Sequence, residues 1–572
     1  MRAARVDDVR AVGRMSVRVA GRSLALFFQD GTVHAMDSRC PHMGFPLHRG
    51  SLRDGILTCH WHHARFDLKS GGAFDQFADD ARVFPVEIRD DEVWVDLTPR
   101  EDQLAHHRQR LWDGLERNIS LVVAKSILGL LSGGEDPAEP FRAGLDFGAR
   151  YRRAGWGQGL TIHTCMMNLL PHLAPEDRPR ALYHGLSAVS RDSAGEPPRF
   201  VVRPLSAGTA DLAMLKLWFR RFVEVRDTEG AERCVVSAVY AGADDIQMAD
   251  MLFAAATDHR YLDVGHVLDF TNKALEALDV AGWSHAERVL ASLAGGYTSA
   301  SRMEESNSWR NPVDLVEILE GAFEKLPDAL ERGRDRRGRW AGHEELAAVL
   351  LGEDSRAIAD ALLEALQQGA TEEGLAGTVA YAAALRIVRF PTTNEFGDWD
   401  TTLHTFTFAN AVHQGLRRIP SQELLRGVFD AAMSVHLDRF LNVPPARLPE
   451  PDGPEAAPEE LLANLAALLN ERQRVDAAGE LVARYLQGGG DVERLLALMG
   501  SLLLREDRNF HSIQAVEAAF HQHGLWRGTT AGTHILIAAG RYLAAHAPTM
   551  RSQGQTYEIA RRLSRGELLY EE

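Results

Sequence analysis

The chain has 572 residues, of which 45% are apolar and 25% charged, with a formal net charge of −17 and four cysteines. That is the composition of a globular protein with about three or four domains of ~150 residues each. The negative balance argues against a phosphate-binding basic surface and against docking on an anionic membrane. So few cysteines in so long a chain argue against a disulfide framework. The first residues, MRAARVDDVRAVGRM, contain no apolar signal core. The best apolar run, ISLVVAKSILGLL, is interrupted by Lys125 and is too short to span a bilayer. The expected location is the cytoplasm. Lysine occurs only at Lys69, Lys125, Lys216, Lys273 and Lys325, so a lysine on an apolar helix stands out.

In chain order, residues 1–98 read as β. Alternating runs such as MSVRVAGRSLALFF, TVHAMD and VFPVEIRDDEVWVDL are separated by Gly and Asp turn signals. From about residue 101 the spacing becomes helical, beginning with EDQLAHHRQRLWDGLERNISLVVAKSILGLL and continuing nearly to the end. Breaks fall at 132–140, 190–199, 332–342 and 443–459, the last a proline-rich stretch expected to form a long exposed loop. The predicted fold is multidomain, a small all-β domain followed by a large all-α region. The domains are 1–100, a helical linker at 101–140, and a helical domain at 141–572.

The β domain carries CPHMGFPLHRGSLRDGILTCHWH. Here Cys40-x-His42 is followed after 16 residues by Cys59-x-x-His62. Two thiolates and two imidazoles fit a tetrahedral zinc site. Zinc fingers, however, usually pair Cys with Cys and His with His. Here each loop offers one of each, between β runs, which suits a [2Fe–2S] cluster with two Cys on one iron and two His on the other. The longer stretch CPHMGFPLHRGSLRDGILTCHWHHARFDLKSGG resembles the Rieske ferredoxin domain. Gly44, Leu47, Gly50 and Gly55 stand at that family's tight turns, and Phe66, Asp67 and Gly71 close the second loop. The resemblance implies a cluster on Cys40, His42, Cys59 and His62 that transfers single electrons. Where respiratory-complex Rieske domains carry a disulfide, this chain has Phe45 and Trp61. That departure implies a potential toward the low end of the range of roughly −150 to +300 mV, as in ferredoxins that feed a catalytic iron.

The helical region lacks the Asp-x-x-His spacing, with a second His four or five residues on, of the usual Rieske oxygenase iron site. It does carry histidines on apolar runs: His163, His172, His259, His266, His404, His413, His511 and His534. Each taken alone is more simply a hydrogen-bonded core histidine. If one helix ran through Gly265, His259, His266 and Lys273 would form a stripe at seven-residue spacing. His163 and His172, like His404 and His413, are nine apart and face opposite ways.

GHVLDFTNKALE is similar to a helix of the questin-oxidase-like proteins, a mostly helical family that oxidises aromatic polyketides. The matching positions are His266, Leu268, Ala274 and Glu276, while Phe270 stands where the family often has a second His. This resemblance implies a mononuclear non-haem iron with His266 and His404 as first-choice ligands, His163 and His511 next, and Lys273 as a candidate carbamate. An ion pair between Lys273 and Glu276 is the simpler reading of that lysine. Glu395, Asp398 and Asp400 precede the His404 run and could bind metal or substrate, although a helix cap at Asp400 or Thr401 is the cheaper explanation. His511, Gln514 and Glu517 form a polar ridge that lines a pocket or faces solvent.

No phosphate loop and no dinucleotide fingerprint are present, so an external reductase or ferredoxin is expected to reduce the cluster. The expected function is a Rieske oxidoreductase passing electrons to a non-haem iron for O2-dependent oxidation of a small organic, aromatic substrate. Rieske oxygenases often transfer electrons between subunits, so a homo-oligomer is expected by analogy. The alternative is an electron carrier fused to a metal-free helical docking module.

Overall fold

Strands occupy the first 95 residues and helices most of the rest, as their periodicities predict, and the chain divides into two units. One is Met1–Pro140 together with Ser552–Glu572, the other Phe141–Arg551. The computed structural model describes residues 1–98, 103–200, 202–206, 208, 211–395, 397–449, 456–567 and 569. The first unit begins with strands β1 (Arg2–Arg5), β2 (Arg14–Val19), β3 (Arg22–Gln29), β4 (Thr32–Asp37), β5 (Ser51–Arg53), β6 (Ile56–Thr58), β7 (Arg65–Asp67), β8 (Val83–Phe84), β9 (Val86–Arg89) and β10 (Glu92–Val95). The helices used below are α1 (Gln103–Glu116), α2 (Ser120–Ser132), α3 (Gln158–Leu169), α4 (His266–Ala281), α5 (Asp398–Arg418), α6 (Phe510–Leu525), α7 (Thr530–Ala545) and α8 (Ser552–Ser564).

The strands pair as three antiparallel sheets, β1-β10-β9, β2-β3-β4-β8 and β5-β6-β7. Because successive side chains of a strand point to opposite faces, β3 serves two cores. Leu24 and Leu26 pack with Val93 and Val95, whereas Ala25 and Phe27 pack with Cys40, Cys59 and Phe66. The second core fixes the floor beneath the cluster loops.

Within the stretch read as β, Val6–Val12 is a helix. Val6 and Val9 bury one face of it, Asp7 and Asp8 sit in its first turn, and Gly13 ends it at φ 73°. Three-residue spacing of two valines is too short a signal to separate from strand alternation. The single helical run predicted after residue 101 is two helices, α1 and α2, divided where Asn118 adopts φ 52°. Residues 552–572, read with the large helical domain, instead group with the β unit, and α8 packs on α2.

In the second unit, α4 and α6 each pack against both α3 and α5. The four helices therefore surround a common interior, the arrangement that builds metal and polar sites in helical bundles. Helix α5 is buried on almost every face, from Thr402 and Leu403 to Gly415 and Leu416, which its small and apolar residues allow. The predicted stripe through Gly265 does not form. Tyr261, Asp263 and Val264 take left-handed φ values of 44°, 48° and 48°, Gly265 follows at 96°, and α4 starts only at His266. Of the proline-rich stretch, 443–449 and 456–457 are irregular and Pro458 opens a helix at its first position. Residues 450–455 lie outside the described residues.

Candidate functional site

Two loops of the β unit bring Cys40, His42, Cys59 and His62 together. The first joins β4 to β5, where the Cys40 amide donates to the Phe45 carbonyl at 2.8 Å and Gly44 to the Cys40 carbonyl at 2.8 Å. Gly44 makes this turn at φ 84°. The second loop joins β6 to β7 and is closed by the Cys59 amide donating to Ala64 at 2.8 Å. After β7 the chain turns at Gly71 with φ 78°, where a Cβ would meet the Ala81 carbonyl at 1.8 Å. The His42 and His62 rings stand edge to face with centroids 4.8 Å apart. Phe45 and Trp61 face each other across the loops at 6.4 Å.

The donor set fits a [2Fe–2S] cluster. Both cysteines are buried and free of disulfide bonds, and His42 Nδ1 is buried without a hydrogen-bond partner. Such an orphaned nitrogen is costly unless something binds it. The two thiols share a proton. A hydrogen bond from Cys40 holds Cys59 down to about 6, and the amides of Trp61 and His62 also favour its thiolate. Through the same bond, with burial adding to it, Cys40 keeps its proton.

In the helical unit, His266, His404 and His511 converge. Each offers a ring nitrogen, and these atoms lie within 4.8 Å of one another. His404 Nε2 is 3.1 Å from His511 Nε2, the separation expected for two nitrogens bound at ~2.1 Å to one ion at near right angles. The rings of His266 and His511 are nearly parallel across His404, which stands perpendicular to both. Burial drives His266 down to about 4 and His404 to about 3, aided by the neighbouring imidazoles. Neutral imidazole is the form that binds metal. The left-handed run before α4 places His266 at the first helical position. A Cβ on Gly265 would meet Phe408 Cβ at 2.8 Å.

Asp400 is the site residue that sequence reasoning assigned elsewhere. It does not cap α5, which begins at Asp398 with Gly397 before it. Its Oδ2 lies 3.3 Å from His511 Nδ1, and its Oδ1 accepts from the buried Tyr542 of α7 at 2.8 Å. Burial opposes its charge, but His511 and Tyr542 hold its carboxyl below the ordinary value. A carboxylate behind an imidazole fixes the ring's tautomer and aim. Asp398 accepts from the Glu395 amide at 3.0 Å and takes no part in the cluster. His404 also lines a cleft of about 510 Å³ with Tyr261, Trp309, Leu315, Leu437 and Phe440. Tyr261 and Trp309 stack in it at 5.9 Å.

The other predicted residues have partners of their own. His163 is wholly buried, bonds the Phe141 carbonyl at 2.9 Å and stacks on that ring at 4.6 Å, so it is a core histidine and not a fourth ligand of the cluster. His259 pairs with Glu304 at 2.6 Å, His413 with Gln522 at 3.1 Å and His534 with Tyr381 at 2.9 Å. Phe270 packs beside His266 at 5.3 Å. Lys273 stands apart from the histidines, bonded to Glu517 at 2.6 Å and Glu276 at 2.9 Å. Burial opposes its charge, yet the two carboxylates hold it protonated. A protonated amine does not take up carbon dioxide, so the carbamate expectation gives way to the ion pair. Gln514 and Glu517 are buried, not solvent-facing, and Gln514 donates to Asp269.

Residues 1–85 match the family model for the Rieske [2Fe-2S] domain. The chain is 38% identical over 71 residues to the Rieske domain-containing protein of Homo sapiens, covering 12% of this chain and 45% of that one. It thus spans less than half of that relative's length. It is 31% identical over 85 residues to the ferredoxin component of the naphthalene 1,2-dioxygenase system of Pseudomonas aeruginosa, covering 15% of this chain and 82% of the relative. Among solved structures, the ferredoxin of Sphingomonas yanoikuyae B1 aligns at 26% identity over 17% of this chain and 98% of its own, with a TM-score of 0.16. Through residues 1–85, the chain belongs to the Rieske [2Fe-2S] domain family.

Proposed function

We propose that this chain is an oxidoreductase joining a one-electron carrier to a mononuclear non-haem metal centre that oxidises an organic substrate with O2. Cys40, His42, Cys59 and His62 would hold the [2Fe–2S] cluster, which supplies one-electron transfer when bound. Likeness to a dioxygenase ferredoxin component supports this half and points to an external reductase as donor. The exposed His62 ring is the natural contact for a redox partner.

The observation that carries the catalytic half is the convergence of His266, His404 and His511 from three separate helices. A redox-active metal held there would supply oxygen activation. Asp400 keeps the His511 proton on Nδ1 and so turns Nε2 inward. Tyr261 and Trp309 give the adjoining cleft a flat apolar wall suited to a planar, aromatic substrate and to excluding water.

Iron and acid-labile sulfide per chain, measured on anaerobically purified protein, test both halves. About three irons and two sulfides are expected, and His404→Ala should lose one iron while keeping both sulfides. Two irons and two sulfides at full loading would favour the carrier with a metal-free helical module, in which the 3.1 Å contact between His404 and His511 is an imidazole hydrogen bond. Zinc without sulfide would overturn both readings.

A further inference from the structure

Lys125 interrupts the most apolar run of the chain and lies outside the residues that match the Rieske family. On α2 its neighbours Val122, Val123, Ala124, Ser126 and Ile127 are all buried. Its Nζ donates to the backbone carbonyls of Pro41 and His42, the latter at 2.5 Å. Among the described residues no carboxylate oxygen lies within 4.0 Å of that ammonium. Burial opposes its charge, and Asp79, the acidic group that favours it most, is itself engaged by Arg110 of α1. Cys40 lies in the same field. A cation in a desolvated place normally recruits a carboxylate. This one is anchored to the first cluster loop by dipoles alone, which leaves its charge to act on whatever the loop holds.

The surroundings keep it there. Helix α8 packs on α2, and Leu563 of α8 lies 3.1 Å from where a Cβ on Gly44 would stand. The α1 and α2 pair and the returning α8 therefore form a collar on the first loop that the β fold alone does not supply.

We propose that Lys125 is a positioning residue that raises the reduction potential of the cluster held by Cys40, His42, Cys59 and His62. Reduction adds one electron, supplied by the reductase, and one negative charge beside the ammonium; no bond forms and no other group moves. The fixed cation favours the reduced state by Coulomb attraction. It also offsets the low potential implied by the missing disulfide at Phe45 and Trp61. The inference rests on the cluster reading of the four side chains, and iron and sulfide content reports that reading separately from the potential.

The test is the midpoint potential of the full-length holoprotein, read by EPR-monitored titration, in Lys125→Met, Lys125→Gln and Lys125→Arg. Methionine removes the charge and the donors, glutamine removes the charge but keeps an N–H donor on a shorter side chain, and arginine keeps both. Both neutral variants should bind the electron roughly tenfold less well, a downward shift of ~59 mV for a one-electron couple, and arginine should restore the value. An unchanged potential in fully loaded neutral variants overturns the proposal. So does failure of both neutral variants to retain iron and sulfide, which would make Lys125 a loop support only.

Discussion

The interior between α4 and α6 has two ends, and they differ in how they settle their charge. At one end His266, His404 and His511 converge; at the other, Glu276, Glu517 and His521 gather just as closely. Both groups have the reach to hold an ion. The acidic end already contains a cation. Lys273 Nζ sits 2.6 Å from Glu517 and 2.9 Å from Glu276, and the Asn168 amide donates to both carboxylates at 2.8 Å. Asn272 takes the remaining oxygen of Glu276 at 2.7 Å. At the histidine end no ammonium pairs with the ring nitrogens among the described residues, and burial holds His266 and His404 below the ordinary imidazole value. A cluster of ligand atoms is therefore a metal site only after the buried ammonium groups around it have been counted.

Removing the internal cation breaks this comparison most severely. Lys273→Met leaves two largely buried carboxylates uncompensated and should cost about 3–5 kcal/mol of stability, the usual effect of unpairing a buried ion pair. The urea midpoint should fall, and adding Glu517→Gln in the same chain should recover part of the loss. An unchanged midpoint would mean that the acidic end draws its compensation from elsewhere, and it would return to consideration as a metal site.

The histidine end is tested more gently through Asp400. Asp400→Asn keeps the shape and the Tyr542 contact but removes the charge behind His511. Loss of such a partner typically weakens metal binding 10–100-fold, about 1.4–2.7 kcal/mol. Chelator competition should release the third metal from this variant first, with sulfide content unchanged. Equal affinities would place the third metal away from His511.

The loops of the β unit and the helical interior were unequally legible in the sequence. The four proposed cluster ligands fall between Cys40 and His62, so local spacing and turn glycines carry nearly all of those loops. His266, His404 and His511 were visible as histidines on apolar helices, yet so was His163, and nothing local separates a convergent imidazole from one that bonds a carbonyl. The ion pair of Lys273 with Glu276 follows from three-residue spacing. Its closer partner, Glu517, lies 244 residues away and depends on how four helices meet. Asp400 misled because an acidic residue at the start of a helix has a sufficient local explanation. The break before His266 was hidden as well: Val264 at φ 48° is a conformation that β-branched residues avoid, so only tertiary packing sustains it. Likewise the return of α8 to the β unit leaves no trace in hydrophobic periodicity.

Asp269, one turn along α4 from His266, marks where the neutral end meets the charged one. Burial raises its carboxyl to about 7, although Lys273 and the Gln514 amide of α6 favour its charge; Glu517 and Glu276 act with burial. Its native pKa thus lies above the ordinary ~3.9 of an unfolded aspartate. The folded state holds this proton more tightly, so its contribution to stability is fully present below pH ~3.9 and is lost as pH rises through about 7. Asp269→Asn keeps an acceptor for Gln514 and never ionises. The difference in melting temperature between the native chain and this variant should therefore fall steadily from about pH 4 to about pH 7.5. Carboxylates held below their ordinary values, Asp400 and Glu517, slope the other way, and they cancel in that difference. A flat difference would mean that Asp269 is ionised in the native state at all these pH values. Lys273 would then neutralise three carboxylates along the interior, and the charged region would extend to within one helical turn of the histidines.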